Sequence, residues 1–129
     1  MSQLTRVLSL GILVLASAAA LAQAPSAAAP SAAMRGKTLF QQKCQPCHGT
    51  EPSDMGRAML PGTDALRIKY KGALPAALEQ RGDLNYDVLR VFLRHGTWSM
   101  PPFRKTELSD ADIADIASYL VVSSAIARP

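Results

Sequence analysis

Apolar residues near the end of the chain recur every three or four positions, which is the period of an amphipathic α-helix. Ser109 is a suitable N-cap, and the pattern predicts a helix from there to about Ser123. Aspartates in its first turn favour the positive end of the helix dipole. The predicted apolar stripe consists of Ile113, Ile116, Ala117, Leu120 and Val121. A stripe of this length needs a partner helix that covers it.

Shorter helices are predicted upstream by the same period and by their end signals. The first of these helices is predicted over Gly36–Lys43. Thr63 and Asp64 could cap a second, which ends at Gly72, and Pro75 precedes a short one over 76–80. The fourth begins after its cap Asn85 and runs through His95. On the last of these, one predicted face carries Leu84, Val88, Val91, Phe92 and His95. Leu60-Pro61-Gly62 is predicted to be a turn. Strand-like alternation is almost absent, so we expect an all-α fold of about four to five helices.

The first predicted helix is the natural partner of the last one. Gly36 has no side chain and would permit close approach of the two backbones. Phe40 or Tyr119 would fill the crossing between them.

The start of the chain has the pattern of a secretory signal peptide. A short segment with one positive charge precedes an apolar run, and Ala20-Leu21-Ala22 is a small-residue cleavage site before Gln23. We therefore expect residues 1–22 to be cleaved and the protein to be periplasmic. One alternative is cleavage two positions later, at Ala22-Gln23-Ala24. The other is a retained membrane anchor, because the apolar run is not much shorter than the roughly 17 residues that a membrane span needs.

Residues 23–33 consist mainly of alanine, proline and serine and predict a flexible leader. The folded domain is then expected over 34–126. The chain has 14 basic and 10 acidic residues, and loss of Arg6 with the signal peptide would leave 13 against 10. Export and the absence of a basic run with interleaved aromatics argue against a nucleic-acid role.

Cys44-Gln45-Pro46-Cys47-His48 is the sequence signature of covalent c-type haem attachment. Cysteines three positions apart on a helical turn present both sulfurs on one face, where each can form a thioether to the porphyrin. The histidine that follows presents an imidazole to the iron. A dithiol redox centre would need a βαβ context, a zinc site would need a fourth ligand, and a simple disulfide would leave the histidine unexplained.

The second iron ligand is predicted in the segment before the last helix. Met100 precedes Pro101 and Pro102, which cannot continue a helix and hold the methionine on a stiff, extended segment. A neutral, soft thioether opposite a histidine raises the reduction potential. His95 is the rival ligand. Trp98 would either donate its indole N–H to a haem propionate or pack against the ring.

Together these residues resemble the small monohaem class I cytochromes c. The likeness rests on the Cys44–His48 motif at the end of a helix bearing Gly36 and Phe40, the proline-framed Met100, and a last helix bearing Tyr119. It implies an all-α fold with crossed terminal helices around one buried haem. It also implies that Cys44 and Cys47 carry the thioethers, His48 is the proximal ligand and Met100 the distal one.

A narrower likeness concerns 70–81, Arg94-His95-Gly96 and 100–103. These segments resemble cytochrome subunits of periplasmic flavin dehydrogenases that act on alkylphenols, such as p-cresol methylhydroxylase. The resemblance implies a subunit that accepts electrons from a flavin. A freely diffusing carrier to a terminal oxidase and a small haem peroxidase or sensor are the alternatives, although no distal histidine and arginine pair is evident. Basic residues around the haem edge would steer an acidic partner, namely Lys69, Lys71, Arg94, Arg104 and Lys105.

Overall fold

The computed structural model describes residues 30–53, 56 and 58–128. The predicted signal peptide and most of the predicted leader lie outside these residues. Five α-helices and one short 3₁₀ helix, Leu78–Gln80, make up the regular structure of this part of the chain. The α-helices are α1 Ala32–Lys43, α2 Gln45–His48, α3 Pro61–Tyr70, α4 Tyr86–His95 and α5 Asp110–Ala127. The described residues contain no strands, only an isolated bridge between Thr97 and Met100, which confirms the all-α prediction.

The crossing of α1 and α5 is the main packing contact of the fold. A Cβ atom on Gly36 would lie 1.9 Å from the Asp115 carbonyl oxygen, so only glycine permits this approach. Beside it, Arg35 donates from Nε and Nη2 to the Asp115 carboxylate at 2.7 and 2.8 Å. The rings of Phe40 and Tyr119 meet with their centroids 5.5 Å apart. The predicted pairing of the terminal helices is confirmed.

The predicted N-caps fix where α4 and α5 begin. The Asn85 side chain accepts from the Val88 backbone N–H at 3.0 Å. Ser109 and Asp112 form a reciprocal capping box, in which each side chain accepts from the backbone N–H of the other residue. These local bonds satisfy orphan N–H groups at the helix starts and set where each helix begins.

The predicted faces of these helices need correction at four positions. Val91, Phe92 and Val121 are 55%, 40% and 56% exposed, and His95 is exposed as well, although each was expected on the inward face of its helix. On α4 the buried face instead carries Leu89 and Leu93. Several apolar residues in one helix can satisfy the same period, and which of them are buried depends on where the neighbouring helix lies. The core consists of Phe40, Leu84, Leu89, Leu93, Leu108, Ile113, Ile116, Ala117 and Leu120.

The predicted turn at Leu60-Pro61-Gly62 is wrong, because Pro61 and Gly62 form the first turn of α3. Proline suits that position, since its missing N–H would have no partner inside the helix. Thr63 is fully buried and donates from its hydroxyl to the Gly49 carbonyl at 2.7 Å. This bond ties the start of α3 to the end of α2. None of the helices in the described ranges has both the length and the apolar content to span a bilayer.

Substitution of Gly36 by alanine tests the helix crossing. The added Cβ would overlap the backbone of Asp115, and we expect the free energy of unfolding to fall by about 2 kcal/mol or more. Denaturant unfolding of the haem-loaded protein measures this. Gly82→Ala is the matched control, because its Cβ would meet only the flexible end of the Arg128 side chain at 3.2 Å, and its effect should stay within about 0.5 kcal/mol. Equal losses in both variants would contradict the account.

Candidate haem site

A largely apolar cavity of about 840 Å³ opens beside the core. Its wall includes Phe40 at the end of α1 and residues from α2, α3 and α4, together with the segment that follows α4. Both predicted attachment cysteines, His48, Met100 and Trp98 line it. Its volume lies within the roughly 300–1,000 Å³ that is typical of ligand and cofactor sites. The fold therefore brings together residues that are up to 56 positions apart in the chain.

The Cys44–His48 segment forms one compact turn at the junction of α1 and α2. The Cys44 N–H donates to the Phe40 carbonyl at 2.8 Å and so closes α1. The N–H groups of Cys47 and His48 then donate to the Cys44 carbonyl at 3.1 and 2.8 Å. Consequently α1, held by α5, delivers the motif directly to the cavity wall.

The electrostatics of the cysteines argue against a dithiol redox centre. Both are free thiols. Burial, and secondarily the neighbouring Cys47, raises the pKa of Cys44 to about 11. Reactive dithiols need a lowered thiol pKa, so Cys44 is poorly suited to that chemistry. No group of three His, Cys, Asp or Glu side chains in the described ranges is arranged to hold a metal ion.

His48 has the properties of a metal ligand at the cavity wall. Burial lowers its pKa, which favours the neutral imidazole that binds metals. Its Nδ1 atom is buried and has no hydrogen-bond partner among the described residues. Such an orphan polar atom costs roughly 1–3 kcal/mol, so the ring fits a role in holding a bound group.

Gly62 contributes to this site in a way that the sequence did not indicate. A Cβ atom there would lie 2.8 Å from the Cys47 carbonyl oxygen and 2.9 Å from Cε1 of the His48 ring. The absence of a side chain thus lets the start of α3 pack directly against the imidazole. In the sequence, Gly62 was explained by a turn, and nothing pointed to its contact with His48.

Met100 is presented by a tightly hydrogen-bonded segment. Gly96 ends α4 with φ of 67°. The backbones of Thr97 and Met100 then pair, with N–H to carbonyl distances of 3.0 and 2.8 Å. Further along, the Phe103 N–H donates to the Leu93 carbonyl at 2.7 Å. Met100 is half-buried against the core and lines the cavity, which fits the predicted ligand role.

The two other candidates behave differently. His95 is exposed, its Nδ1 lies 2.9 Å from the Val91 carbonyl oxygen, and it is not part of the cavity wall. Trp98 has a left-handed backbone with φ of 50° and a fully exposed side chain. The turn that pairs Thr97 with Met100 places the Trp98 side chain in solvent in the protein chain itself. Its predicted contact with haem stays a prediction.

Arg81 is a cavity residue that sequence reasoning missed. Its side chain is only 6% exposed, donates to Asp83 through Nε at 2.9 Å and Nη2 at 2.5 Å, and has its guanidinium carbon 4.8 Å from the Tyr70 ring centroid. The positive charge lies in the wall of a largely apolar cavity that Lys43 and Lys69 also line. Haem carries two carboxylate side chains, and a buried guanidinium suits pairing with one of them. Arg81 gave no sequence signal, because an arginine before a glycine is ordinary in an exposed loop.

A family described as cytochrome c oxidase, cbb3-type, subunit III matches residues 31–120. The match covers well over half of the chain. The chain belongs to this family. It is a c-type cytochrome domain that carries covalently bound haem c with iron and acts as an electron carrier rather than an enzyme. No curated protein and no solved structure matches it significantly. The residues that line the cavity fit this cofactor, since they supply two thiols, a neutral imidazole, a thioether and a buried cation.

The size of the cavity predicts that the protein needs its cofactor to fold. Without haem, the largely apolar wall of this open cavity would be exposed to water, and a domain of this size has little other buried apolar surface to offset that loss. A Cys44→Ala/Cys47→Ala protein without haem should therefore lack a cooperative thermal transition and bind hydrophobic dyes. The control is the haem-loaded natural sequence. A sharp calorimetric transition in the double variant would contradict the prediction.

Proposed function

We propose that this protein is a periplasmic electron carrier in which Cys44 and Cys47 form thioethers, His48 is the proximal ligand and Met100 the distal ligand. The observation that carries the proposal is the single cavity wall shared by the Cys44–His48 turn and Met100. The two parts of the proposed site come from distant parts of the chain and reach one cavity through separate structural devices. The first is the end of α1, and the second is the hydrogen-bonded segment after α4.

The chemistry follows from this ligand set. When bound, haem c would supply an iron that changes between two oxidation states. Burial lowers the pKa of His48 and so favours the neutral imidazole, which would supply a nitrogen ligand, while Met100 would supply a soft sulfur that favours the ferrous state. With both side chains holding the iron, the protein would pass electrons without making or breaking substrate bonds.

The proposed electron donor is a partner dehydrogenase, in particular a periplasmic flavin dehydrogenase. The resemblance over 70–81 and 100–103 supports this choice. Trp98, fully exposed, Ile68, 57% exposed, and the exposed Lys69 all line the cavity. An exposed aromatic residue and a positive charge around one cavity suit an acidic protein partner.

A freely diffusing carrier that delivers electrons to a terminal oxidase is the second candidate. The description of the family as an oxidase subunit favours an oxidase at the receiving end. The two candidates differ in whether the cytochrome remains bound to its electron donor, and that difference can be measured directly.

The ligand assignment predicts opposite outcomes for two matched variants. Met100→Ala should lower the reduction potential and allow added carbon monoxide to bind the ferrous protein, because the iron would lose its soft sulfur ligand. His95→Ala should change neither property, since His95 is exposed and lies outside the cavity wall. Redox titration and visible spectroscopy provide both readouts. The reverse pattern would assign the sixth ligand to His95.

Purification from the native periplasm tests the partner. We expect haem and flavin absorbance to coelute in size exclusion at low salt, at a mass well above the 13.8 kDa of this chain. A lone haem peak at monomer size would favour the diffusible carrier. Lys69→Glu should weaken coelution because it reverses charge at the cavity, whereas Lys37→Glu, on the exposed part of α1, should not. Equal behaviour of the two variants would exclude steering by Lys69.

A further inference from the structure

Arg94 was grouped with the exposed basic residues, yet the structure gives it a different role. Its side chain is 15% exposed, compared with 80% for Arg104. Its Nη1 donates to the Phe103 carbonyl at 3.1 Å, and its Nη2 donates to the Asp110 carboxylate at 2.7 Å. A residue of α4 thus contacts both the segment after Met100 and the first residue of α5.

The contacts of Arg94 lie on the segment that carries Met100. The segment between α4 and α5 runs from Gly96 to Ser109. The Thr97–Met100 backbone pair closes its first part, and the bond from the Phe103 N–H to the Leu93 carbonyl anchors its middle. Arg94 holds the other polar group of the same residue, the Phe103 carbonyl. Phe103 is therefore bonded to α4 through both its N–H and its carbonyl.

Asp110 completes the arrangement from the side of α5. It accepts from Arg94 and lies 3.2 Å from Nζ of Lys105. The hydrogen bond from Arg94 is the main cause of the lowered pKa of Asp110. Nη1 and Nη2 make the two side-chain hydrogen bonds that position the guanidinium, while the buried Nε atom has no partner among the described residues.

We propose that Arg94, bridging the Phe103 carbonyl and Asp110, is a positioning residue that holds the Met100 segment closed over the haem cavity. The proposal rests on the proposed function, in which Met100 is the distal ligand. Met100 follows two residues that are fully or largely exposed and precedes two prolines that are also exposed. Met100 and Phe103 pack against the core, but the four residues around Met100 do not, so polar contacts at the ends of the segment are needed to complete its closure.

The experiment uses imidazole as a probe of the haem-loaded ferric protein. Imidazole binds iron only when the methionine leaves, so its apparent affinity scales with the fraction of molecules in which the segment is open. Arg94→Gln should raise this affinity about tenfold or more, because it removes charge-assisted hydrogen bonds to the Phe103 carbonyl and the Asp110 carboxylate. Arg94→Lys, which keeps the charge but lacks the planar fork, should restore only part of the natural behaviour.

Arg104→Gln is the matched control. It removes an arginine from the same segment that pairs with Glu107 at 3.1 Å but is mostly exposed, and its imidazole affinity should stay within about twofold of the natural protein. Equal affinity in Arg94→Gln and Arg104→Gln would overturn the proposal. A lowered unfolding midpoint in Arg94→Gln without a change in imidazole affinity would also overturn it, because that result describes a structural role alone.

Two further variants keep the outcome interpretable. If Arg94→Gln fails to accumulate with haem, Asp110→Asn must still raise the imidazole affinity severalfold, and an unchanged affinity would refute the proposal. Met100→Ala separates the two claims. If the natural protein and Met100→Ala bind imidazole equally well, the ligand assignment fails. If Met100→Ala alone binds it more tightly, the ligand assignment stands and the role of Arg94 fails.

Discussion

The structure depends on one constraint: a small helical domain surrounds an open, largely apolar cavity of about 840 Å³ that side chains alone do not fill. The nine core residues lie mainly between α1, α4 and α5, and the cavity extends from this cluster towards α3. A domain of this size buries little apolar surface on folding and is therefore only marginally stable. Covalently bound haem would supply the missing apolar contacts, so the cofactor would form part of the core as well as the redox centre.

The α1–α5 crossing makes this arrangement possible. Gly36 brings the helices together, Arg35 and Asp115 pair beside the contact, and Phe40 meets Tyr119 next to it. Because the Cys44–His48 turn begins where α1 ends, the position of the crossing sets the position of the motif. On the other side, the α4 cap at Gly96 and the bonds to Phe103 set the position of Met100. Helix packing therefore positions the Cys44–His48 turn, and loop hydrogen bonds position Met100, at the same cavity.

The features that sequence predicted are those with a local physical cause. Asn85 and Ser109 cap helices through side chains within three residues, and the cysteine and histidine spacing specifies its chemistry within five residues. Gly36 was also predictable, since a long apolar stripe required a close partner. Pro61 was misread because proline serves equally as a turn residue and as the first residue of a helix.

The features that sequence missed depend on contacts between distant residues. Arg81 and Arg94 look like ordinary surface arginines until the fold buries their guanidinium groups against Asp83 and Asp110. The outward direction of Trp98 follows from the backbone pairing around it, and Gly62 matters only because α3 packs on His48. Charge and aromatic content alone could not distinguish these positions from solvated ones.

The most direct test of the account is proton NMR of the reduced protein labelled with ¹³C in its methionine methyl groups. A methionine that binds haem iron places its methyl group over the porphyrin face, where the ring current shifts the resonance strongly upfield. The account predicts one such resonance, and sequential assignment should place it at Met100. If every methionine methyl resonance lies in its ordinary range, or if the shifted one belongs to another methionine, the proposed site is wrong.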